Sequence, residues 1–154
     1  KDEEINLMIK TSYEIINLLR NNFNKFGSVV IISSVAIKQI ADQNEIYYIS
    51  QAARESLVKY FAIKFNNNSV RFNSIMPSHL LKSENKKFYK INKKELKLLK
   101  KINPLNRVPT STDTAMLVEF LTSNKSIMIN GTSIIIDGGL HLYGQREIAK
   151  KFYR

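Results

Sequence analysis

The stretch GSVVIISSVAIKQIADQNEIYYISQAA, residues 27–53, decides the fold. After Gly27 and Ser28, the residues Val29, Val30, Ile31 and Ile32 form a continuous apolar run that is β-branched at every position. Such a run reads as a parallel strand covered on both faces, because a strand with one wet face would alternate polar and apolar residues. Ser33 and Ser34 stand at its carboxyl end, and Tyr47 follows Ser34 by thirteen residues at the start of a helix. In open α/β sheets ligands bind outside the carboxyl ends of the strands, so the Ser34 hydroxyl and the Tyr47 phenol could share one crevice.

Downstream, Tyr47 to Phe65 reads as a long helix that buries Ala52, Ala53, Leu57, Val58, Phe61, Ala62 and Phe65, with Asn66, Asn67 and Asn68 ending it in a turn. Val70 to Met76 reads as a second strand, terminated by Pro77, which lacks a ladder donor. Thr110 to Thr122 is expected to be a capped helix burying Ala115, Met116, Val118, Phe120 and Leu121. Asn130-Gly131 is then a turn, and Thr132 to Ile136 a last strand closed by Gly138-Gly139. A helix from Gln145 to Phe152 against a partner subunit is expected in the tail.

Upstream, residues 1–26 place Ile5, Met8, Ile9, Ile15, Ile16, Leu19 and Phe23 at helical spacing, behind the acidic start Asp2, Glu3, Glu4 that complements the positive helix end. Leu7, Tyr13, Leu18 and Phe26 widen the stripe beyond one face. A helix apolar so far round packs on a sheet and on something else as well.

The 154 residues are expected to form one domain with a real core. No apolar run approaches the roughly 18 residues of a membrane span, and no signal peptide is recognised, so the expected location is the cytoplasm or an organelle lumen, away from membranes. The chain has no Cys, which removes disulfides and thiolate catalysis. His79 and His141 lack ligand-like spacing and read as ordinary loop residues rather than a metal pair. Lys82 to Lys101 holds nine Lys against Glu84 and Glu95, a net of +7 within a total of +11. One or two short helices with a weak seam of Phe88, Ile91, Leu98, Leu99 and Ile102 are expected there as a flap. Its charge is either a solvated face or a surface for an acidic partner: an acyl carrier protein, a nucleotide phosphate or, least favoured without an aromatic platform, nucleic acid.

Taken in one register, Ser34, Tyr47, the run Val70-Arg71-Phe72-Asn73-Ser74-Ile75-Met76-Pro77 and the segment Asn130-Gly131 to Asp137-Gly138-Gly139 resemble the short-chain dehydrogenases/reductases. The resemblance covers nearly all of this chain but only the C-terminal part of a whole family member. It implies a Rossmann-type doubly wound parallel α/β sheet, with the strands visible here at about 28–33, 70–76 and 132–137. It further implies NAD or NADP as cofactor, and Ser34, Tyr47 and Asn6 of the Asn6-Leu7 pair as catalytic residues. Gln51 stands where the family has its Lys. Tyr47, Gln51, Pro77 and Ser78 would border the cofactor, and Ser34 and Tyr47 the substrate. The family's Gly after the Pro is Ser78 here, and its nicotinamide-contacting Thr falls near Lys82. The family also pairs the helices of residues 1–26 and 47–65 across an oligomer interface. None of Gly27, Gly131, Gly138, Gly139 and Gly144 has the spacing of a pyrophosphate-binding turn, so the nucleotide-binding half is expected to lie outside this sequence. Pro104-Leu105-Asn106-Arg107 resembles the Pro-x-x-Arg of the acyl-carrier reductase branch, which makes a 3-oxoacyl carrier-protein reductase the first sub-branch to test. Enoyl reductases of the same superfamily space Tyr and Lys by six intervening residues, as from Tyr47 to Arg54. With the Lys position at Gln51, however, their Tyr would fall on Asn44.

The chemistry can be stated from the residues alone. A carbonyl accepting hydride develops charge on its oxygen and needs a proton donor and a hydrogen-bond donor at that atom, which Tyr47 and Ser34 supply. A phenol with an ordinary pKa near ~10 is a slow proton carrier at neutral pH. An ammonium about 4 Å away at an effective dielectric near ~20 would stabilise phenolate by roughly 4 kcal/mol. Gln51 donates and accepts hydrogen bonds but carries no charge. The expectation is therefore an NAD(P)-dependent oxidoreductase or, alternatively, a degenerate relative serving as a structural subunit.

Overall fold

A computed structural model describes residues 2–40, 43–65 and 69–153 of the chain. The turn expected at Asn66, Asn67 and Asn68 and the side chains of Asp2 and Glu4 lie outside the described residues. Three strands, β1 (Ser28–Ile32), β2 (Arg71–Pro77) and β3 (Ser133–Ile136), pair in parallel in the order β1-β2-β3. Register pairs Ile31 with Ser74 and Ser74 with Ser133. The α/β architecture and all three strands agree with the sequence reading to within a residue or two.

Alternation along the strands assigns the two faces of the sheet. Ile31 and Phe72 join Val58, Phe61 and Ala62 of helix α3 (Glu45–Lys64) and Phe65 at its C-terminal cap in one apolar core, closed from the side by Ile16 and Phe23. The opposite face carries Ser28 and Arg71, which reach helix α6 (Ser111–Thr122) and the turn after it. The buried Arg71 guanidinium donates to the carbonyls of Leu121, Ser123 and Ser126. A cation is favourable where a helix leaves its last carbonyls unpaired.

The first helix departs from expectation. Instead of one helix to residue 26, α1 (Asp2–Ile5) passes through a π-turn at Asn6–Lys10 into α2 (Thr11–Leu18), which stops eight residues early. The Thr11 N–H donates to the Asn6 carbonyl, five residues back. A π-turn inserts one residue into the helical repeat and so rotates everything after it by about 100°. Ile16 is consequently buried while Ile15 and Leu19, both expected inside, are exposed.

Helix α3 corrects the expected burial in a different way. Val58, Phe61, Ala62 and Phe65 are inside, but Ala52 is exposed, Ala53 and Leu57 are half-buried, and the polar Ser50, Gln51 and Glu55 are buried in their place. The sheet face beneath them is itself polar, because Ser33, Ser74 and Ser133 all point toward α3 and donate to the Glu55 carboxylate. In α6 only Leu121 of the five expected core residues is buried, Val118 is half-buried, and Ala115, Met116 and Phe120 are exposed. Thr114 is buried instead, since α6 meets the sheet along Thr114 and Leu121, two turns apart.

The basic segment forms a short 3-10 turn (Ser83–Asn85), α4 (Lys86–Ile91) and α5 (Lys93–Ile102). Of its expected seam Leu99 is buried, Leu98 and Ile102 are half-buried, and Phe88 and Ile91 are exposed. A final helix, α7 (Gln145–Lys150), lies within the expected span, and Lys101 sits over the ring of Phe152 just beyond it.

Arg107, from the Pro-x-x-Arg stretch, makes a two-pronged pair with Asp113, whose carboxylate also accepts from the Thr110 N–H and hydroxyl in the cap of α6. The Arg107 hydrogen bonds first, then those from Thr110, hold the Asp113 carboxyl well below the usual carboxylate range. A lowered folded-state pKa gives stability that is complete above the unfolded value near ~3.9 and is lost as pH falls through the folded one. The α6 cap is therefore expected to persist at about pH 3. An NMR titration of the Asp113 side chain showing a midpoint at the ordinary carboxylate value would contradict this.

Candidate active site

Three strand ends build the site. The chain leaves β1 at Ser34, β2 at Ser78 and β3 at Asp137, and all three line one cavity of about 210 Å³ together with Tyr47 and His79. Ser34 is extended and opens a 3-10 turn at Val35–Lys38, its Oγ accepting the Ala36 N–H at 3.1 Å. That bond uses one of the two lone pairs, and the hydroxyl keeps its proton to donate to a group in the cavity it lines. Tyr47 is held in the first turn of α3, where its N–H donates to the Asn44 side chain at 2.9 Å.

Two other expected residues lie just behind this cavity. Gln51, one turn after Tyr47 on the same helix face, is only 3% exposed, and its Oε1 is buried without a hydrogen-bond partner among the described residues. Pro77 is buried at the end of β2, immediately before Ser78. Asn6 is exposed in the π-turn and does not line the cavity.

A further turn along α3 is Glu55, 6% exposed, with hydroxyls from all three strand regions on its carboxylate. Ser33 is the neighbour of Ser34, so Glu55 ties the end of β1 to the helix that carries Tyr47. Arg54 adds a cation at the same end of the sheet. Its Nε donates to the Met8 carbonyl at 2.8 Å and its terminal nitrogen to the Ile32 carbonyl at 3.2 Å. Burial pushes the Arg54 guanidinium down from its ordinary value, and the neighbouring Tyr47 acts in the opposite direction.

The turn after β3 is shaped by Asp137, which accepts from the N–H groups of Gly139 and His141 and pairs with the His141 ring at 2.8 Å. Gly138 has φ +67° and lies so close to the Asn103 amide that any Cβ would collide with it. That close approach lets Asn103 donate to the Asp137 carbonyl at 2.8 Å and fixes the floor of the cavity.

Sequence reasoning passed over His79, Asp137 as a lining residue, and Glu55. His79 lies two residues beyond Pro77, and Asp137 follows Ile136 at the end of β3, so both could have been read from the rule that strand ends face the ligand. Glu55 gave no signal, because a carboxylate amid an apolar repeat reads as solvated.

Residues 2–141 match the family described as enoyl-(acyl carrier protein) reductase. A tropinone reductase homologue of Arabidopsis thaliana is 30% identical over 121 residues, which cover 79% of this chain and 46% of that protein. The chain thus spans about half the length of the curated relatives it matches. Among solved structures, a short-chain dehydrogenase family protein from Francisella tularensis superposes with a TM-score of 0.79 at 26% identity, over 90% of this chain and 61% of that one. A 3-oxoacyl-[acyl-carrier protein] reductase from Brucella melitensis, solved with NAD, shares the fold with a TM-score of 0.76 at 22% identity, over 92% of this chain and 53% of that one.

Proposed function

The chain belongs to the short-chain dehydrogenase/reductase family, and from that premise we propose that it supplies the C-terminal, catalytic part of an NAD(P)-dependent oxidoreductase interconverting a carbonyl and an alcohol. The observation that carries this reading is the convergence of Ser34 and Tyr47 on one cavity at the carboxyl ends of the strands. In it the Ser34 hydroxyl holds the substrate oxygen, and the Tyr47 phenol delivers or removes the proton at that atom. NAD(P), when bound, supplies or accepts the hydride. The residues fit such a group: Gln51 Oε1, one turn along α3 from Tyr47, is a buried acceptor without a protein partner among the described residues, suited to a ribose hydroxyl, and Ser78 lines the cavity at the end of β2. The NAD in the Brucella reductase supports the cofactor class. Its 3-oxoacyl carrier-protein chemistry, with the acyl-carrier description of the matched family, supports a 3-oxoacyl thioester as substrate.

The test is loss of NAD(P)H absorbance when the native protein is given a short 3-oxoacyl thioester. Absence of turnover with cofactor demonstrably bound would overturn the reading. In the same assay Gln51→Lys is expected to raise kcat at least about tenfold, a factor equivalent to ~1.4 kcal/mol. The new ammonium would lie one helical turn from Tyr47 on one side and from Glu55 on the other, so it gains a counter-ion as well as a phenolate to stabilise. An unchanged kcat would mean that Arg54 already supplies the charge.

Assembly follows from the same helices. Leu18 and Ile63 are 80% and 71% exposed, and Leu7 and Ile49 are exposed beside them, on the helical layer that was expected to pair. A second copy covering this layer is expected to give a dimer or larger assembly at micromolar concentration. A monomeric mass by light scattering would contradict it.

A further inference from the structure

A second concavity, of about 600 Å³, opens beside α4 and α5 and has a chemistry unlike the first. Lys82, Lys86, Lys90 and Lys93 line it, with Tyr89 and Leu96 as its apolar surface. Lys86 and Lys90 are four apart on α4 and share one of its faces, and Lys93 opens α5 beyond the break at Asn92, so that the three border one space. No acidic side chain lines the groove, and none of these four lysines makes an ion pair among the described residues. The flap's two acids, Glu84 and Glu95, do not line it, but Glu84 is close enough to feel the Lys82 charge and Glu95 close enough to act on the Tyr89 hydroxyl.

Four like charges gathered around one groove repel one another, and a multivalent anion relieves that repulsion at several contacts at once. The apolar surface asks for more than an inorganic ion. The volume falls among small-ligand sites, which run from about 300 to 1,000 Å³, whereas a protein partner needs a broad face of roughly 800 Å². We propose that this groove binds a small phosphorylated amphiphile, a coenzyme A thioester, with its phosphates on Lys82, Lys86, Lys90 and Lys93 and its apolar portion over Tyr89 and Leu96. The groove begins at Leu81, two residues beyond His79 of the catalytic cavity, and is pinned there by the bridge from Leu81 to Thr110. Delivery of the acyl part from the groove to Ser34 and Tyr47 rests on the oxidoreductase reading; the binding itself does not.

Calorimetric titration with octanoyl-coenzyme A tests the proposal. The native protein is expected to bind at micromolar concentration, the affinity falling severalfold between 50 and 200 mM salt as screening shortens to about 8 Å and below. Lys86→Gln/Lys90→Gln should weaken binding at least about tenfold with an unchanged melting curve, while Tyr47→Phe leaves it unaltered. Equal affinity in native and double-variant protein, displacement by NADPH, or no binding would each overturn the groove. Tighter, lysine-dependent capture of an acidic carrier protein would also overturn it, in favour of a macromolecular partner. Binding without turnover would leave the groove standing and sink the enzymatic reading; turnover of a phosphate-free ketone without binding would do the reverse.

Discussion

Tyr47→Phe is expected to lower kcat by about three orders of magnitude while cofactor affinity stays within about twofold, because it removes one proton donor and nothing of the cavity's shape. Phe keeps the ring, so the edge-on contact with Tyr48, centroids 6.0 Å apart, and the first turn of α3 remain. Tyr48 is the internal control. It lies next in sequence but does not line the cavity, so Tyr48→Phe should leave kcat unchanged. Steady-state kinetics on both variants decide the matter: equal losses would show that the phenol at 47 is a packing group and would remove the catalytic assignment.

The second large effect concerns stability. Glu55→Ala is expected to cost about 4 kcal/mol, since the hydroxyls of Ser33 and Ser74 are buried and would lose their acceptor, while Ser133 is only half-buried. For a chain of this size that is a fall in melting temperature of roughly 10 °C. Glu55→Gln keeps one acceptor oxygen and should lose about half as much. Glu55→Leu combined with Ser33→Ala, Ser74→Ala and Ser133→Ala leaves nothing unpaired and should return to within about 2 kcal/mol of the native chain. Thermal denaturation of the set tests this; a combined variant less stable than Glu55→Ala would show that the carboxylate acts through some other contact.

Strand positions were legible because β-branched runs ended by Ser, Pro or Gly admit few other readings. The Ser34 and Tyr47 pair was legible through the resemblance, in one register with Asn73, Pro77 and Asp137-Gly138-Gly139; a strand-end Ser and a helix-start Tyr by themselves read as ordinary packing residues. The burial of Glu55 was not legible. Its three serines lie 22, 19 and 78 residues away, and only the parallel register brings them into one row. Misjudged burial in α2 has a single cause, the π-turn, which no residue type between Asn6 and Lys10 announces. In α6 the error came from assigning apolar residues to the core by type, where contact with the sheet selects Thr114 and Leu121.

That π-turn can also be seen as an event in the history of the chain. An i to i+5 turn inside an α-helix is what remains when one residue is inserted and the helix absorbs it without breaking. Deleting a single residue between Asn6 and Lys10 would restore an unbroken α-helix and, because the lost residue and the regained winding cancel, leave α2 facing as it does, with Ile16 inside and Ile15 outside. It would still move the Met8 carbonyl, which receives the Arg54 Nε. An indel far from the catalytic cavity in sequence would thus reset the position of Arg54, which feels the Tyr47 phenol, a route by which the reactivity of the site can drift without substitution of any residue that lines it.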